Sequence, residues 1–463
     1  MTADKHTILD GRIFPALTRF SVPILFSLIL QALYGAVDLW MVSHFAANAD
    51  VSAVSTGSQT MMITGGLVTG LSMGITVLLG QSVGQGNDRR SANIIGTGAW
   101  IFLGIGAIIT AVLLGTAKPL AELLNAPAAA FDQTVAYILI CGAGTVFVVG
   151  FNVLNGIFCG LGDSKTPLLF VAVACVVNIL GDYVLIDLLQ LGAVGAAIAT
   201  IAAQAVSVIF SLLVIRKKLP FPIAKENLRY DRKLAGAILR LGAPVALLRM
   251  CTEISYLVIL GFVNVFGETA SSGVGIAEKL VMFILLIPTA YRSSISAFVA
   301  QNMGANQPER AKQGLWTGMV SAASIGGVMA YLSFFHGDAL SLLFTRDLQV
   351  IAASSTFLKA TAMECFVLSI SYCFDGYFNG IGKTTLVMVR GVAAALLVRI
   401  PYAYYASTRP DSSLFQIGLA TAFAAIFMLV FCCVEYLVRK RKMAGSAARV
   451  RPASTQKANS GTG

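Results

Sequence analysis

Gln81-Ser-Val-Gly-Gln-Gly-Asn-Asp-Arg-Arg90 returns 220 residues later as Gln301-Asn-Met-Gly-Ala-Asn-Gln-Pro-Glu-Arg310, with Gln81, Gly84 and Arg90 matched by Gln301, Gly304 and Arg310. The same offset carries Gly156, Phe158, Gly160 and Gly162 onto Gly376, Phe378, Gly380 and Gly382. One offset serving two motifs some 80 residues apart marks an internal repeat, which has to be fixed before any single element is read.

Working outward from these motifs, the chain is apolar over long stretches. Of 463 residues 57% are hydrophobic and 12% charged, the charged share being about half that of soluble domains. A span needs about 20 mostly apolar residues. That rule gives twelve: residues 14-45, 51-80, 94-116, 131-158, 167-189, 191-215, 239-265, 271-300, 314-335, 350-378, 384-407 and 412-437. The repeated unit holds six spans, an even number, so both copies have one orientation. The expected fold is an all-α polytopic membrane protein, with two six-helix bundles related by a pseudo-two-fold axis along the membrane normal and a cavity between them. The expected divisions are a cytoplasmic N-terminus (1-13), an N-lobe (14-215), a cytoplasmic linker (216-238), a C-lobe (239-437) and a disordered cytoplasmic tail (438-463).

The net charge of +11 would point to nucleic acid in a soluble chain. Here the cations sort by side instead. The N-terminus, the loops after even-numbered spans and the tail hold 23 Lys and Arg, against Lys118, Arg346 and Arg409 on the opposite side. This asymmetry puts both termini in the cytoplasm, and no nucleic-acid partner is expected. The polar start runs into a span longer than a signal core, so no cleavable signal is expected. Eight cysteines lie in or at the ends of apolar segments without CxxC spacing, and the three histidines are far apart. They read as packing residues, with no zinc or haem site. There is no phosphate-binding Gly-rich loop ending in Lys-Ser/Thr, which speaks against direct ATP driving.

Ionisable residues at membrane depth are functional candidates by default. Asp38 in span 1, Asn178 and Asp182 in span 5 and Thr200 in span 6 all fall at roughly 10–16 Å below the outer surface at 1.5 Å per residue. Asn178 and Asp182 share a helix face at i,i+4 spacing. Two carboxylates in a poorly hydrated pocket disfavour double ionisation, so one can take up and release a proton. The four oxygen-bearing groups could instead coordinate Na⁺, or form a structural hydrogen-bond network. The second half carries Arg249, Glu253, Glu278, Lys279, Arg292, Lys359 and Glu364 within spans, and the repeat partner of Asp38 is the apolar Ile259. These charges either pair internally or place Glu253, Lys279 and Glu364 in a substrate cavity.

The sequence resembles the multidrug and toxic compound extrusion (MATE) transporters across nearly its whole length. The matching pieces are Pro23 with Asp38-Leu-Trp-Met-Val42, Gln81-Ser-Val-Gly-Gln-Gly86, Gly156-Ile-Phe-Cys-Gly-Leu-Gly-Asp-Ser-Lys-Thr-Pro167, Asn178-Ile-Leu-Gly-Asp182 and Gly195-Ala-Ala-Ile-Ala-Thr200, with Ala300-Gln-Asn-Met-Gly-Ala305 and Gly380-Ile-Gly-Lys-Thr-Thr385 as repeat copies. Asp182 four residues after Asn178 is similar to the DinF-like branch, and Glu253 resembles an acidic position of the NorM-like branch. The major facilitator class shares the two-lobed plan, but its loop signature is not reproduced by Gly84-Gln-Gly-Asn-Asp-Arg-Arg-Ser91.

The resemblance implies a non-enzymatic secondary antiporter of a bacterial inner membrane, acting as a monomer. It would export small organic substrates, lipophilic cations or amphipathic molecules, by alternating access between the lobes. Inward H⁺ or Na⁺ flux would drive it, with no cofactor and no metal beyond Na⁺. It also implies cation coupling at Asp38, Asn178, Asp182 and Thr200, with Tyr34, Tyr137 and Asn155 as neighbours. The alternatives are a flippase for a lipid-linked or amphipathic precursor, which the basic Lys279, Arg292 and Lys359 keep open, and a passive channel.

Overall fold

The computed structural model describes residues 8–450, and every regular element among them is helical. A backbone in lipid must satisfy its own polar groups, which turns each apolar run into a helix. In the first half these are α1 (Ile13–Phe45), α2 (Asn48–Gly84), α3 (Asp88–Leu123), α4 (Phe131–Ala143), α5 (Thr145–Leu161), α6 (Lys165–Asp182) and α7 (Gly192–Lys218). The second half holds α8 (Arg232–Asn264), α9 (Glu268–Ile284), α10 (Leu286–Gly304), α11 (Pro308–Phe335), the short α12 (Gly337–Ser341), α13 (Leu348–Gly380), α14 (Thr384–Ala393), α15 (Ile400–Ser407) and α16 (Leu414–Val450).

Among the described residues eleven continuous helical stretches are long and apolar enough to span, and α4 with α5 makes a twelfth, bent by 50° at Gly144. Helix ends run past the apolar segments where polar caps support them. The span expected at 94-116 lies in a helix starting at Asp88, where the Asn87 side chain accepts from the Arg90 N–H at 2.9 Å. The tail departs from expectation. Helix α16 continues to Val450, so the segment 438-463, expected to be disordered, is helical through its first dozen residues, which are rich in the helix formers Ala, Lys, Arg and Met. Residues 451–463 and 1–7 lie outside the described part. Residues 8–11 are fastened to the second half: Arg310 donates to the carbonyls of Ile8, Asp10 and Gly11 at 2.9–3.3 Å.

The two halves interlock at the end that carries the basic loops. Leu17, Phe20 and Ile24 of α1 pack among Tyr291, Ile295, Phe298, Leu315 and Phe374 of the second half. Reciprocally, Ala235, Ile238 and Ala246 of α8 pack among Val68, Leu71, Ile75 and Phe151 of the first. Each exchanged helix has a proline inside it, Pro23 and Pro244, and such a residue removes one helical hydrogen bond and favours a bend. Toward the far end the packing separates by half. Met41 and Val42 of α1 join a cluster drawn wholly from the first half, and Ile259 and Val263 of α8 one drawn wholly from the second. The lobes are therefore seamed at the basic end and part toward the far end.

The repeated motifs form that seam. Gln81 Nε2 donates to the Gly380 carbonyl at 3.0 Å, and Gln301 Nε2 donates to the Gly160 carbonyl at 2.9 Å. Gly380 ends α13 and Gly160 lies one residue from the end of α5, where helix carbonyls lack an intrahelical donor. Each lobe thus caps a helix of the other. Gly84 and Gly304 make this fit, because a Cβ on either would run into the backbone carbonyl of Gln301 or Gln81 respectively.

Candidate functional site

Four helices of the first half each contribute an i,i+4 pair to one buried pocket: Tyr34 and Asp38 from α1, Tyr137 and Cys141 from α4, Asn178 and Asp182 from α6, and Thr200 and Gln204 from α7. Local packing fixes their level. A Cβ on Gly181 would sit 3.0 Å from Ala199 Cβ, so α6 and α7 approach closely beside Asp182 and Thr200. The start of α7 is tied to α2, since Asp50 Oδ1 accepts from the Ala193 N–H at 3.0 Å. Directly after Asp182 the helix widens into a π turn, Tyr183–Leu188, a device common at functional sites.

Asp38, Asn178 and Asp182 are 7%, 1% and 0% exposed. Thr200 Oγ1 donates to Asp38 Oδ2 at 3.2 Å, and Asp182 and Asn178 lie within electrostatic reach of the Asp38 carboxyl. Asp38 Oδ1, both oxygens of Asp182, both polar atoms of Asn178 and Gln204 Oε1 are buried with no hydrogen-bond partner among the described residues. Burying a bare carboxylate away from donors costs on the order of several kcal/mol, and two facing carboxylates add their repulsion. Such a pair is stable with a shared proton or a bound monovalent cation, and unstable without one.

Asp38, Asn178, Asp182 and Thr200 are thus brought together, with Tyr34 and Tyr137 bordering them. Asn155 lies on α5 beyond the bend at Gly144, where its Oδ1 accepts from the Cys159 thiol at 3.6 Å. Gln204 was missed by the sequence reading, although its placement one turn after Thr200 on a buried face is a usable signal.

The second half has a different polar centre. Tyr256 donates to Glu364 Oε1 at 2.9 Å, Arg399 Nη2 lies 3.9 Å from that oxygen, and Arg399 Nη1 donates to Ser255 Oγ at 2.9 Å. The Arg399 guanidinium covers the Tyr256 ring at 4.5 Å. Arg399 closes the second π turn, Ala394–Arg399, so both lobes carry a π turn at their polar centres. Glu253 and Glu278 come within electrostatic reach of one another, but Glu253 forms no ion pair with Arg249 among the described residues, despite the i,i+4 spacing. Lys279 does not join Glu364. It is exposed on the side of α9 opposite the one buried by Gly273, Val274, Ala277 and Leu280. Arg390, fully buried, pairs with Asp375.

Up to twelve candidate spans in two interlocked lobes, parted at one end and holding bare buried carboxylates, make the architecture of a membrane transporter. The MatE family model matches residues 23–184 and again 244–405, two copies 221 residues apart, and the chain belongs to that family. It is 24% identical over 441 residues to the probable multidrug resistance protein YoeA of Bacillus subtilis, covering 93% of this chain and 95% of that one. An FAD transporter of Shewanella oneidensis is 24% identical over 416 residues, covering 86% and 89%. Among solved structures, the outward-facing conformation of a multidrug resistance MATE family transporter of the MOP superfamily matches with a TM-score of 0.87 at 20% identity, over 96% of this chain and 99% of that one.

Proposed function

We propose that the protein is a secondary antiporter that exports organic compounds in exchange for H⁺ or Na⁺, working as a monomer in a bacterial inner membrane with both termini in the cytoplasm. The observation that carries this reading is the Asp38–Asp182 pair with three of its four carboxylate oxygens buried and unpartnered. The excess of Lys and Arg at the seamed end supports its cytoplasmic placement, so the state described is closed inward and open outward. Relatives named for multidrug resistance and for FAD transport support organic cargo.

Coupling follows from the path of α1. Its far half carries Asp38 into the first-lobe cluster, while its basic-end half packs in the second lobe beyond Pro23. Cation entry from outside neutralises the carboxylates and lets α1, α6 and α7 repack. The shift travels along α1 to the seam, where it changes the balance between closed and open cytoplasmic ends. Asn178, Thr200 and Gln204 supply oxygens for Na⁺ or hold the protonated carboxyl in place. Reconstituted protein loaded with a cationic dye tests the reading. Export should require an inward H⁺ or Na⁺ gradient and saturate with dye, and dye flux that is unsaturable and indifferent to both gradients would identify a channel.

A further inference from the structure

We propose that Arg249 and Arg292, with Tyr372, form a subsite for the carboxylate or phosphate group of an anionic cargo, at the floor of the outward-open cleft. This deepens the antiporter reading and rests on it for the direction of transport, but the binding chemistry stands on the residues themselves.

Apart from Arg240 at the basic end of span 7, four arginines lie within the second-half spans. Arg390 is paired with Asp375 and Arg399 with Glu364. Arg249 and Arg292, both half-buried, have no ion pair and no hydrogen-bond partner among the described residues. They lie within electrostatic reach of each other, so like charges are held together at membrane depth. The Arg292 guanidinium covers the Tyr372 ring at 4.7 Å, which orients its fork of donors. An unpaired guanidinium inside a bilayer is expensive, and two within electrostatic reach of each other, neither in an ion pair, point to a ligand that supplies the negative charge.

Their level is set by the seam. Ala246 of α8 abuts Gly70 of α2, and Ser296 Oγ of α10 lies 3.5 Å from Met73 Sδ of the same helix. Arg249 is about one turn beyond Ala246 toward the far end, and Arg292 about one turn beyond Ser296. On α2 the matching turn holds Gly65 and Gly66, and a Cβ at either would meet nothing within 4 Å. Both arginines therefore sit at the turn where the lobes cease to touch and the cleft begins. Arginine forks grip carboxylate and phosphate oxygens bidentately, which an ammonium does not. Glu253 and Glu278, further along the cleft wall, would repel a second negative group and so favour cargo with its anion at one end.

The test is equilibrium binding of dansylglycine, a fluorophore with a single carboxylate, read by anisotropy, to the full chain in phosphatidylcholine nanodiscs. No gradient is present, so a failure of cation coupling would leave the measurement intact, and a failure here would leave cation-driven export of cationic dyes untouched. R249Q and R292Q should each weaken binding by about tenfold or more, and R292K should recover part of the loss. Melting temperature monitors folding, and R249K reads the same position if R249Q does not fold. Competition by phosphatidylglycerol added to the nanodisc would assign the anion to a lipid headgroup, and its absence to soluble cargo. Absence of binding to the wild type, or equal affinity in wild type, R249Q and R292Q, would overturn the proposal.

Discussion

Replacing Gln81 and Gln301 together by leucine should open the cytoplasmic end. Each amide donates across the seam to a helix-terminal carbonyl of the other lobe, at 3.0 and 2.9 Å. Leucine keeps comparable bulk but leaves both carbonyls without that donor while the seam is closed. When the seam parts, water reaches them, so the loss falls on the closed state alone. A net hydrogen bond contributes about 1 kcal/mol. Because the two bonds are repeat mates that break in one movement, the double variant should lose about 2 kcal/mol, or about thirtyfold in the closed-to-open ratio. A protein poised at about 99 to 1 would move to about 3 to 1. Spin labels on Asp88→Cys and Glu309→Cys, in a chain with the exposed Cys433 replaced by serine, report the separation of the two motif loops by pulsed resonance in nanodiscs. We expect a second, longer distance to appear in the double variant and a smaller share of it in each single variant. An unchanged distance distribution would refute the idea that the glutamines hold the seam.

Further outcomes follow from the two polar centres. Asp182→Asn should abolish cation-dependent export and leave the melting temperature equal or raised, because a bare buried carboxylate is replaced by an uncharged amide; calorimetry in detergent checks the second part. Arg399→Met alone should destabilise by about 3 kcal/mol or more through the stranded Glu364, and the double variant with Glu364→Met should regain most of it, as a double-mutant cycle of melting curves would show.

The spans, the parallel repeat and the four central cluster residues were legible because they rest on composition, on an offset and on depth along helices. Packing across the lobes was not. The glutamine and glycine motifs read as the mark of a repeat, and the structure makes them a reciprocal clasp between residues 299 and 141 positions apart. Nothing in a local pattern tells a capping glutamine from a solvated one. The exchange of α1 and α8 between lobes is equally silent, since apolar faces look alike whether they meet lipid or another helix. Asn155 came from the family resemblance, and the structure places it on α5 beyond the bend at Gly144. Lys279 and Glu278 are adjacent in sequence yet lie on different sides of α9, a difference that depth along a span does not resolve. Arg399 joined Glu364 through a π turn whose register no 3.6-residue periodicity would place.

Substrate-driven cation movement in proteoliposomes tests the central assignment most directly. Wild type and Asp38→Asn protein are loaded with a pH indicator, in media with and without Na⁺, and a cationic dye is added to start exchange. We expect the wild type to move H⁺ or Na⁺ in step with dye and the Asp38→Asn protein to move neither in response to it. Full dye-driven cation exchange by Asp38→Asn would contradict the assignment of coupling to the first-lobe carboxylates.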